Sequence, residues 1–162
     1  MHAIIAFYSR TGTSQTLAAA MSRELELLGH STEALPFEPK RRVGLVLGTL
    51  QALFRRPAAL AEDYALGAAD LVVLVGPVWA GNITPPMRGL IAQLPELQGR
   101  RVVTMLVGTW RYSRLARNVA EQLRILGADW VASRALRSAE VRDPDKLSSV
   151  VNEIARRAAQ VQ

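Results

Sequence analysis

The sequence predicts an α/β fold, with a single doubly wound five-stranded parallel sheet and helices on both faces. Short apolar runs alternate along the chain with segments whose apolar residues recur at helical spacing. Two of these runs, Ala69–Val75 and Arg101–Val107, are rich in Leu and Val, which is typical of strands buried on both faces of a parallel sheet. Parallel strands need helical crossovers, and 162 residues suit one domain. We therefore expect one domain over residues 1–162.

The N-terminal part of the chain predicts two strands and the helix between them. Ala3–Tyr8 is the first strand, and the helix is expected from Gln15 to a stop at Gly29. The apolar residues of this helix recur at helical spacing: Leu17, Met21, Leu25 and Leu28. Ser31–Leu35 is short and half polar, which favours a strand at the edge of the sheet.

The segment Phe37–Tyr64 does not fit a simple alternation of strands and helices. Its centre, Val43–Phe54, is apolar nearly all round and too short to span a bilayer. Basic residues stand at both ends: Lys40, Arg41, Arg42, Arg55 and Arg56. We favour a buried crossover helix with charged ends. The alternative is a lid or docking helix that contacts a membrane surface or an apolar substrate.

The remainder of the chain predicts three strands and three helices in alternation. The strands are Ala69–Val75, Arg101–Val107 and a weaker last strand, Trp130–Leu136. Apolar positions at helical spacing predict helices over 87–94, 115–126 and 147–158, the first of them after Pro85-Pro86 and the second ending at Gly127.

Composition narrows the classes of site and partner. The absence of cysteine excludes disulfides, thiolate nucleophiles and cysteine-ligated metals, and His2 and His30 are far from any acidic cluster, so we expect no metal site. The net charge of +6 allows an anionic partner such as a membrane surface, but we favour the simpler interpretation that arginines are spread over solvated faces of the helices. No basic ribbon interleaved with aromatic residues is present, so we expect no nucleic-acid binding. The chain enters a strand at once, which favours the cytoplasm.

The first strand leads into Ser9–Ser14, a loop with the composition of a phosphate pocket. Four hydroxyls surround Gly12, and the unpaired amides of the following helix can point at the same anion. The loop lacks the lysine of a Walker loop and the three glycines of a dinucleotide fingerprint, so it predicts a terminal monophosphate. The alternative is that the hydroxyls only cap the helix and Arg10 faces solvent.

Two further strand ends are candidate ligand contacts, because ligands of open α/β sheets lie beyond the carboxyl ends of strands. Gly76–Asn82 has a backbone constrained by glycine and proline, with Trp79 near its tip, and can lie along a flat heterocycle. Gly108–Tyr112 is again a small residue followed by aromatic ones. Trp110 and Tyr112 can either stack on a ligand or pack in the protein, and Trp130 is expected to be structural.

Together the first two loops resemble those of the flavodoxin family. In that family a strand ending in tyrosine leads to S-x-T-G-x-[ST], and a later strand leads to G-P-V-W-A-G followed by a proline pair. The resemblance covers the order and spacing of elements over most of the chain. It implies a flavodoxin-like sheet with strand order 2-1-3-4-5 and, because the last strand is uninterrupted, a short-chain member.

The resemblance also implies a site for flavin mononucleotide (FMN). The residues that would enclose its phosphate are Ser9, Arg10, Thr11, Gly12, Thr13 and Ser14. The residues that would line one side of the flavin ring are Pro77, Val78, Trp79, Ala80, Gly81 and Asn82. The residues of the third contact loop are Gly108, Thr109, Trp110 and Tyr112. Arg10 would offset the charge of the phosphate if it faces the pocket.

The function implied is an FMN-dependent oxidoreductase of the NAD(P)H:quinone reductase type. Hydride would pass from NAD(P)H to flavin N5, and electrons then to a quinone or similar acceptor. No catalytic side chain is assigned, because direct transfer at N5 needs no acid–base pair. The alternative is an electron-carrier flavodoxin that exchanges electrons with protein partners. Such carriers are strongly acidic, whereas this chain is basic. A third interpretation is a flavin-free interaction module.

Overall fold

A computed structural model describes residues 1–41, 44–64, 66–94 and 97–160, within which the chain forms a parallel sheet covered by helices on both faces. The strands are β1 His2–Phe7, β2 Ser31–Pro36, β3 Leu71–Trp79, β4 Asn82–Ile83, β5 Arg101–Gly108 and β6 Trp130–Arg137. The helices are α1 Thr13–Leu27, α2 Leu45–Leu53, α3 Pro85–Gln93, α4 Ser113–Ile125, α5 Ser138–Arg142 and α6 Pro144–Gln160.

The order of the main strands is β2-β1-β3-β5-β6, and every neighbouring pair along this path is parallel. The two-residue strand β4 lies off the path and pairs antiparallel with the end of β3. Counted without β4, this is the predicted order 2-1-3-4-5, so the predicted fold is confirmed. The half-polar strand β2 lies at one edge, as its sequence indicates.

Side chains that alternate along the central strands form two separate cores. Ile4 and Ala6 of β1 pack in the core under α3 and α4, whereas Ala3 and Ile5 pack in the core under α1 and α6. The same alternation holds in the other central strands, since residues of opposite parity face opposite sides. This burial on both faces explains the nearly continuous apolar sequence of β3 and β5.

Two element boundaries differ from the prediction in ways that matter for the site. Helix α1 begins at Thr13 rather than Gln15, because Gly12 adopts φ 86° and the chain turns into the helix directly after it. Strand β3 continues through Gly76 to Trp79, and its pairing with β5 persists as far as Pro77 opposite Val107. The predicted loop Gly76–Asn82 is therefore the end of a strand and a tight hairpin.

The apolar segment after β2 forms α2, and the expectation that this helix is buried is wrong. Gly48 and Ala52 are buried, but Leu47, Leu50, Leu53 and Phe54 are exposed. Gly48 faces the protein, where α2 lies close to Trp79, and the four large residues just named are left outside. The predicted residues Arg42 and Val43 lie outside the described ranges.

Candidate functional site

The carboxyl ends of β1, β3, β5 and β6 surround a small pocket with a volume of about 80 Å³. Its lining residues come from the loop after β1, the first turn of α1 and the ends of the other three strands: Ser9, Arg10, Thr11, Thr13, Ser14, Pro77, Trp79, Val107 and Ser138. Seven of these are residues that the sequence predicted for two separate loops. The structure therefore brings the two predicted loops to one site.

The loop after β1 presents polar groups that other residues leave free for a ligand. Within the described residues, the Ser9 Oγ is buried without a hydrogen-bond partner, and the cap residue of α1 is Gly12 with no side-chain cap. A buried hydroxyl without a partner costs about 1–3 kcal/mol, so an external acceptor is expected. The hydroxyls of Thr11 and Thr13 are hydrogen-bonded to each other at 3.3 Å, and both residues line the pocket.

The start of α1 adds backbone donors to the same pocket. The Thr16 amide donates to the Gly12 carbonyl at 2.9 Å, which is the first bond of the helical ladder. Amides earlier than this have no helical acceptor, so they can bind an anion at the N-terminus of the helix. Ser14, in this first turn, is buried. The donor set therefore fits a phosphate group with several acceptor oxygens.

Trp79 is held in place at the edge of the pocket. Its ring meets Tyr8 edge-on at 6.1 Å between centroids, and the Arg10 guanidinium lies 5.4 Å from the ring centroid. A Cβ on Gly48 would stand 2.8 Å from Cζ3 of Trp79, so α2 can approach the ring only because residue 48 is glycine. Arg10 itself is exposed, and its charge stands near the pocket.

The hairpin after β3 holds three of the predicted ring contacts. Ala80 and Gly81 both have positive φ, 47° and 73°, as the two central residues of a tight hairpin do. This backbone conformation is unfavourable for Ala80, and such local strain is characteristic of functional sites. The side-chain Nδ2 of Asn82 donates to the Ala80 carbonyl at 3.4 Å. Val78, opposite Ile83, packs toward the core rather than into the pocket.

The third predicted loop divides into a packed part and an exposed part. A Cβ on Gly108 would stand 2.4 Å from Cε2 of Tyr112, so the tyrosine ring covers this glycine. Thr109 and Trp110 are exposed, and Trp110 is 72% accessible. Tyr112 therefore has a packing role, whereas Trp110 lies outside the pocket.

A buried carboxylate connects the third loop to the end of β6. Glu140 accepts from the backbone N–H of Arg137 at 2.7 Å and from Nη2 of Arg111 at 2.6 Å. Its side chain is 11% exposed. The Arg137 backbone hydrogen bond, followed by the Arg111 guanidinium, lowers the pKa of Glu140 to about 2, although burial acts in the opposite direction. Glu140 is thus ionised at neutral pH and holds Arg111 against α5.

Ser138 is a pocket residue that the sequence analysis missed. It begins α5 directly after β6, and its hydroxyl donates to the Gly108 carbonyl at 3.3 Å. Ligands of open α/β sheets lie beyond the carboxyl ends of the strands, and Ser138 follows the carboxyl end of the last strand, β6. The position of Ser138 in the sequence therefore contained a signal for this residue.

The sequence predicts no metal site and no membrane span, and neither is found in the described part of the chain. Its His, Asp and Glu residues form no group of three that could hold a metal ion. Among the helices it contains, none is long and apolar enough to cross a membrane.

The sequence profile of the NADPH-dependent FMN reductases matches residues 1–145. The chain belongs to this family. A comparison with curated protein sequences found no match. Family membership confirms FMN as the cofactor and a flavodoxin-like, FMN-dependent oxidoreductase as the class of protein. The donors around the pocket fit the terminal phosphate of FMN, because they include an unpartnered buried hydroxyl and free helix amides.

Solved structures with the same fold include flavodoxins and flavoprotein reductases. A flavoprotein from Bacteroides uniformis is 15% identical with a TM-score of 0.72, over 96% of this chain and 97% of that one. An NADH:FMN oxidoreductase in its apo form is 17% identical with a TM-score of 0.64, over 97% of this chain and 88% of that one. A Streptococcus pneumoniae flavodoxin is 17% identical with a TM-score of 0.62, over 97% of this chain and 99% of that one. These similarities confirm the fold.

Proposed function

We propose that this protein oxidises NAD(P)H and reduces a quinone or a similar small acceptor by means of bound FMN. The observation that carries the proposal is the pocket at the strand ends, with the unpartnered Ser9 hydroxyl inside it, in a chain of the NADPH-dependent FMN reductase family. Because its proposed donor is a metabolite of the cytoplasm, we propose that compartment for the protein.

The residues around the pocket have distinct roles in this proposal. Ser9, Thr11 and Thr13 donate hydroxyl hydrogens to the phosphate, and the first amides of α1 complete its binding. FMN, when bound, supplies the redox chemistry by accepting hydride from a nicotinamide and giving up electrons to the acceptor. Trp79 and the hairpin Ala80–Asn82 line one side of the flavin ring. The contacts of Trp79 with the Tyr8 ring and with Gly48 of α2 hold its indole ring in place.

The second candidate is an electron carrier that exchanges electrons only with proteins. The flavodoxins of the same fold favour it. The charge opposes it, since this chain carries +6, whereas the carriers that it resembles are acidic. Docking on a basic reductase would bring like charges together and slow association.

Steady-state kinetics on the purified holoprotein separates these two functions. We expect NADPH or NADH oxidation that depends on an added water-soluble quinone and that disappears in a variant unable to bind FMN. A holoprotein that contains FMN but oxidises neither nicotinamide, with or without quinone, would overturn the reductase proposal. Electron transfer restored by a separate reductase protein would then establish the carrier.

A further inference from the structure

The outer face of α2 carries large apolar side chains in solvent. Leu47, Leu50, Leu53 and Phe54, here called the α2 outer face, are between 46% and 69% exposed. At about 3.6 residues per turn they lie on one side of the helix, opposite the buried Gly48 and Ala52. In these four residues the segment differs from an ordinary surface helix, which buries its large apolar residues.

This cluster differs from the other exposed apolar residues of the described chain. Leu27, Trp110 and Ile125 are large and exposed too, but they stand singly on different elements. Single exposed apolar residues are normal, whereas a contiguous patch indicates an interaction surface.

Basic residues border the α2 outer face at both ends. Lys40 and Arg41 precede the helix, Arg55 and Arg56 follow it, and all four are exposed. Within the described ranges, none of the four is in an ion pair with a carboxylate. The backbone N–H of Lys40 donates to the Ala59 carbonyl at 2.8 Å, which joins the chain before α2 to the chain after it.

A groove of about 440 Å³ joins the basic border to the apolar face. Its lining residues include Lys40 and Arg41 of the basic border and Leu47 of the α2 outer face. Arg88 lies deeper beside the same segment, and its pKa is lowered by burial and then by the neighbouring Arg55. Cations are therefore crowded around α2, which favours an anionic partner.

We propose that the α2 outer face docks on the surface of an anionic phospholipid bilayer. The four apolar side chains enter the boundary between headgroups and acyl chains, and the basic border contacts the lipid phosphates. A nine-residue helix lies in that interface rather than crossing the bilayer. The proposal is independent of the redox function, because it depends only on this surface.

A second copy of the chain is the less suitable occupant. Face-to-face pairing of two α2 helices would bring two sets of uncompensated basic residues together, in a protein whose net charge is already +6. An anionic membrane compensates the same charges. Because Gly48 on the inner side of α2 contacts Trp79, membrane docking would also bring the flavin site close to the bilayer.

Vesicle flotation tests the proposal on the full-length holoprotein. We expect it to float with phosphatidylcholine vesicles that contain phosphatidylglycerol and to remain unbound with phosphatidylcholine alone. The double variant Leu50→Gln/Phe54→Ser should lower the partition coefficient by at least about tenfold, because it removes the apolar contact. The matched control is Leu27→Gln/Ile125→Ser, which removes apolar side chains that are even more exposed, at 71% and 79%, elsewhere on the protein and should float as the wild type does.

A charge variant keeps the test decisive if the apolar variant fails to fold. Lys40→Ser/Arg56→Ser changes exposed side chains only and should reduce flotation and its sensitivity to salt. Three results would overturn the proposal: no preference for anionic vesicles, equal flotation of the α2 variant and wild type, or lipid-free dimerisation lost in the α2 variant. Loss of dimerisation in the α2 variant would show that the α2 outer face binds a second copy of the chain instead of a membrane.

Discussion

The Ser9–Ser14 loop and the α2 segment are two regions in which side chains lack the partners that they ordinarily have. In the loop, the buried Ser9 hydroxyl lacks a partner beside a pocket that Ser9, Thr13 and Ser14 line. In α2 and at its C-cap, four large apolar side chains are exposed to solvent between basic ends. The first arrangement is suited to a small anion, and the second to an extended surface. Buried polar groups without partners therefore indicate a small polar ligand, whereas clustered exposed apolar side chains indicate a surface.

The largest effect is expected when a carboxylate is placed in the loop, in Thr11→Glu. At about 4 Å and an effective dielectric near 20, repulsion between two unit charges is about 4 kcal/mol. FMN affinity should therefore fall by more than about 100-fold, at about 1.4 kcal/mol per tenfold. Flavin fluorescence titration measures this. Gln15→Glu is the control, because it adds the same charge to α1 outside the pocket lining; a loss as large in the control would place the phosphate elsewhere.

The next effect concerns Glu140, which supports the third loop beside the pocket. Its folded pKa of about 2 lies below the ordinary value of 4.5. The ion pair therefore contributes stability above pH about 4.5, and this contribution is lost as the pH falls toward 2. Solvent weakens the ion pair because Arg111 is exposed, so Glu140→Gln should lower the free energy of unfolding by roughly 2 kcal/mol at pH 7.

Urea unfolding at several pH values tests the Glu140 prediction. The difference in free energy of unfolding between the wild type and Glu140→Gln should become smaller as the solution is acidified below pH about 4.5. Glu121→Gln, which removes an exposed ion pair with Arg124, should cost less than about 0.5 kcal/mol. A pH-independent loss in Glu140→Gln would mean that packing rather than charge stabilises this part of the protein.

A smaller effect is expected where the two regions meet, at Gly48 and Trp79. In Gly48→Ala the new methyl group would be 2.8 Å from the ring, and overpacking costs about 1–3 kcal/mol. The higher helix propensity of alanine offsets about 1 kcal/mol of this cost, so we expect the free energy of unfolding to fall by about 1 kcal/mol. When Trp79 is already replaced by phenylalanine, Gly48→Ala should lower the free energy of unfolding by less. If a double-mutant cycle by urea unfolding gives the same loss in both backgrounds, α2 does not rest on Trp79.

The smallest effect is expected on the α2 outer face. Leu53→Gln should change the free energy of unfolding by less than about 0.5 kcal/mol, because the side chain is 55% exposed. Ala52→Leu, on the inner side of the same helix, should cost about 1–3 kcal/mol by overpacking. Thermal unfolding of the two variants measures the contrast. A Leu53→Gln variant less stable than Ala52→Leu would show that the outer face is packed within the molecule.

The sheet and the place of the Ser9–Ser14 loop at a pocket could be predicted because their signals are local. Apolar runs specify strands buried on both sides, and a strand that leads through Gly12 into a helix puts this loop at the carboxyl edge of the sheet. The orientation of α2 could not be predicted, because a segment that is apolar all round has the same composition whichever side is buried. The extension of β3 was hidden because Gly76 and Pro77 usually interrupt strands, whereas here pairing with β5 continues through both.

We infer that the loop after β1 binds the phosphate of FMN. Calorimetric titration of flavin-free protein with FMN and with riboflavin, which has the same ring without the phosphate, tests it most directly. We predict that FMN binds at least about 100-fold more tightly, and that Ser9→Ala narrows this preference by about tenfold. Equal affinity for the two flavins, or a preference unchanged in Ser9→Ala, would contradict the account.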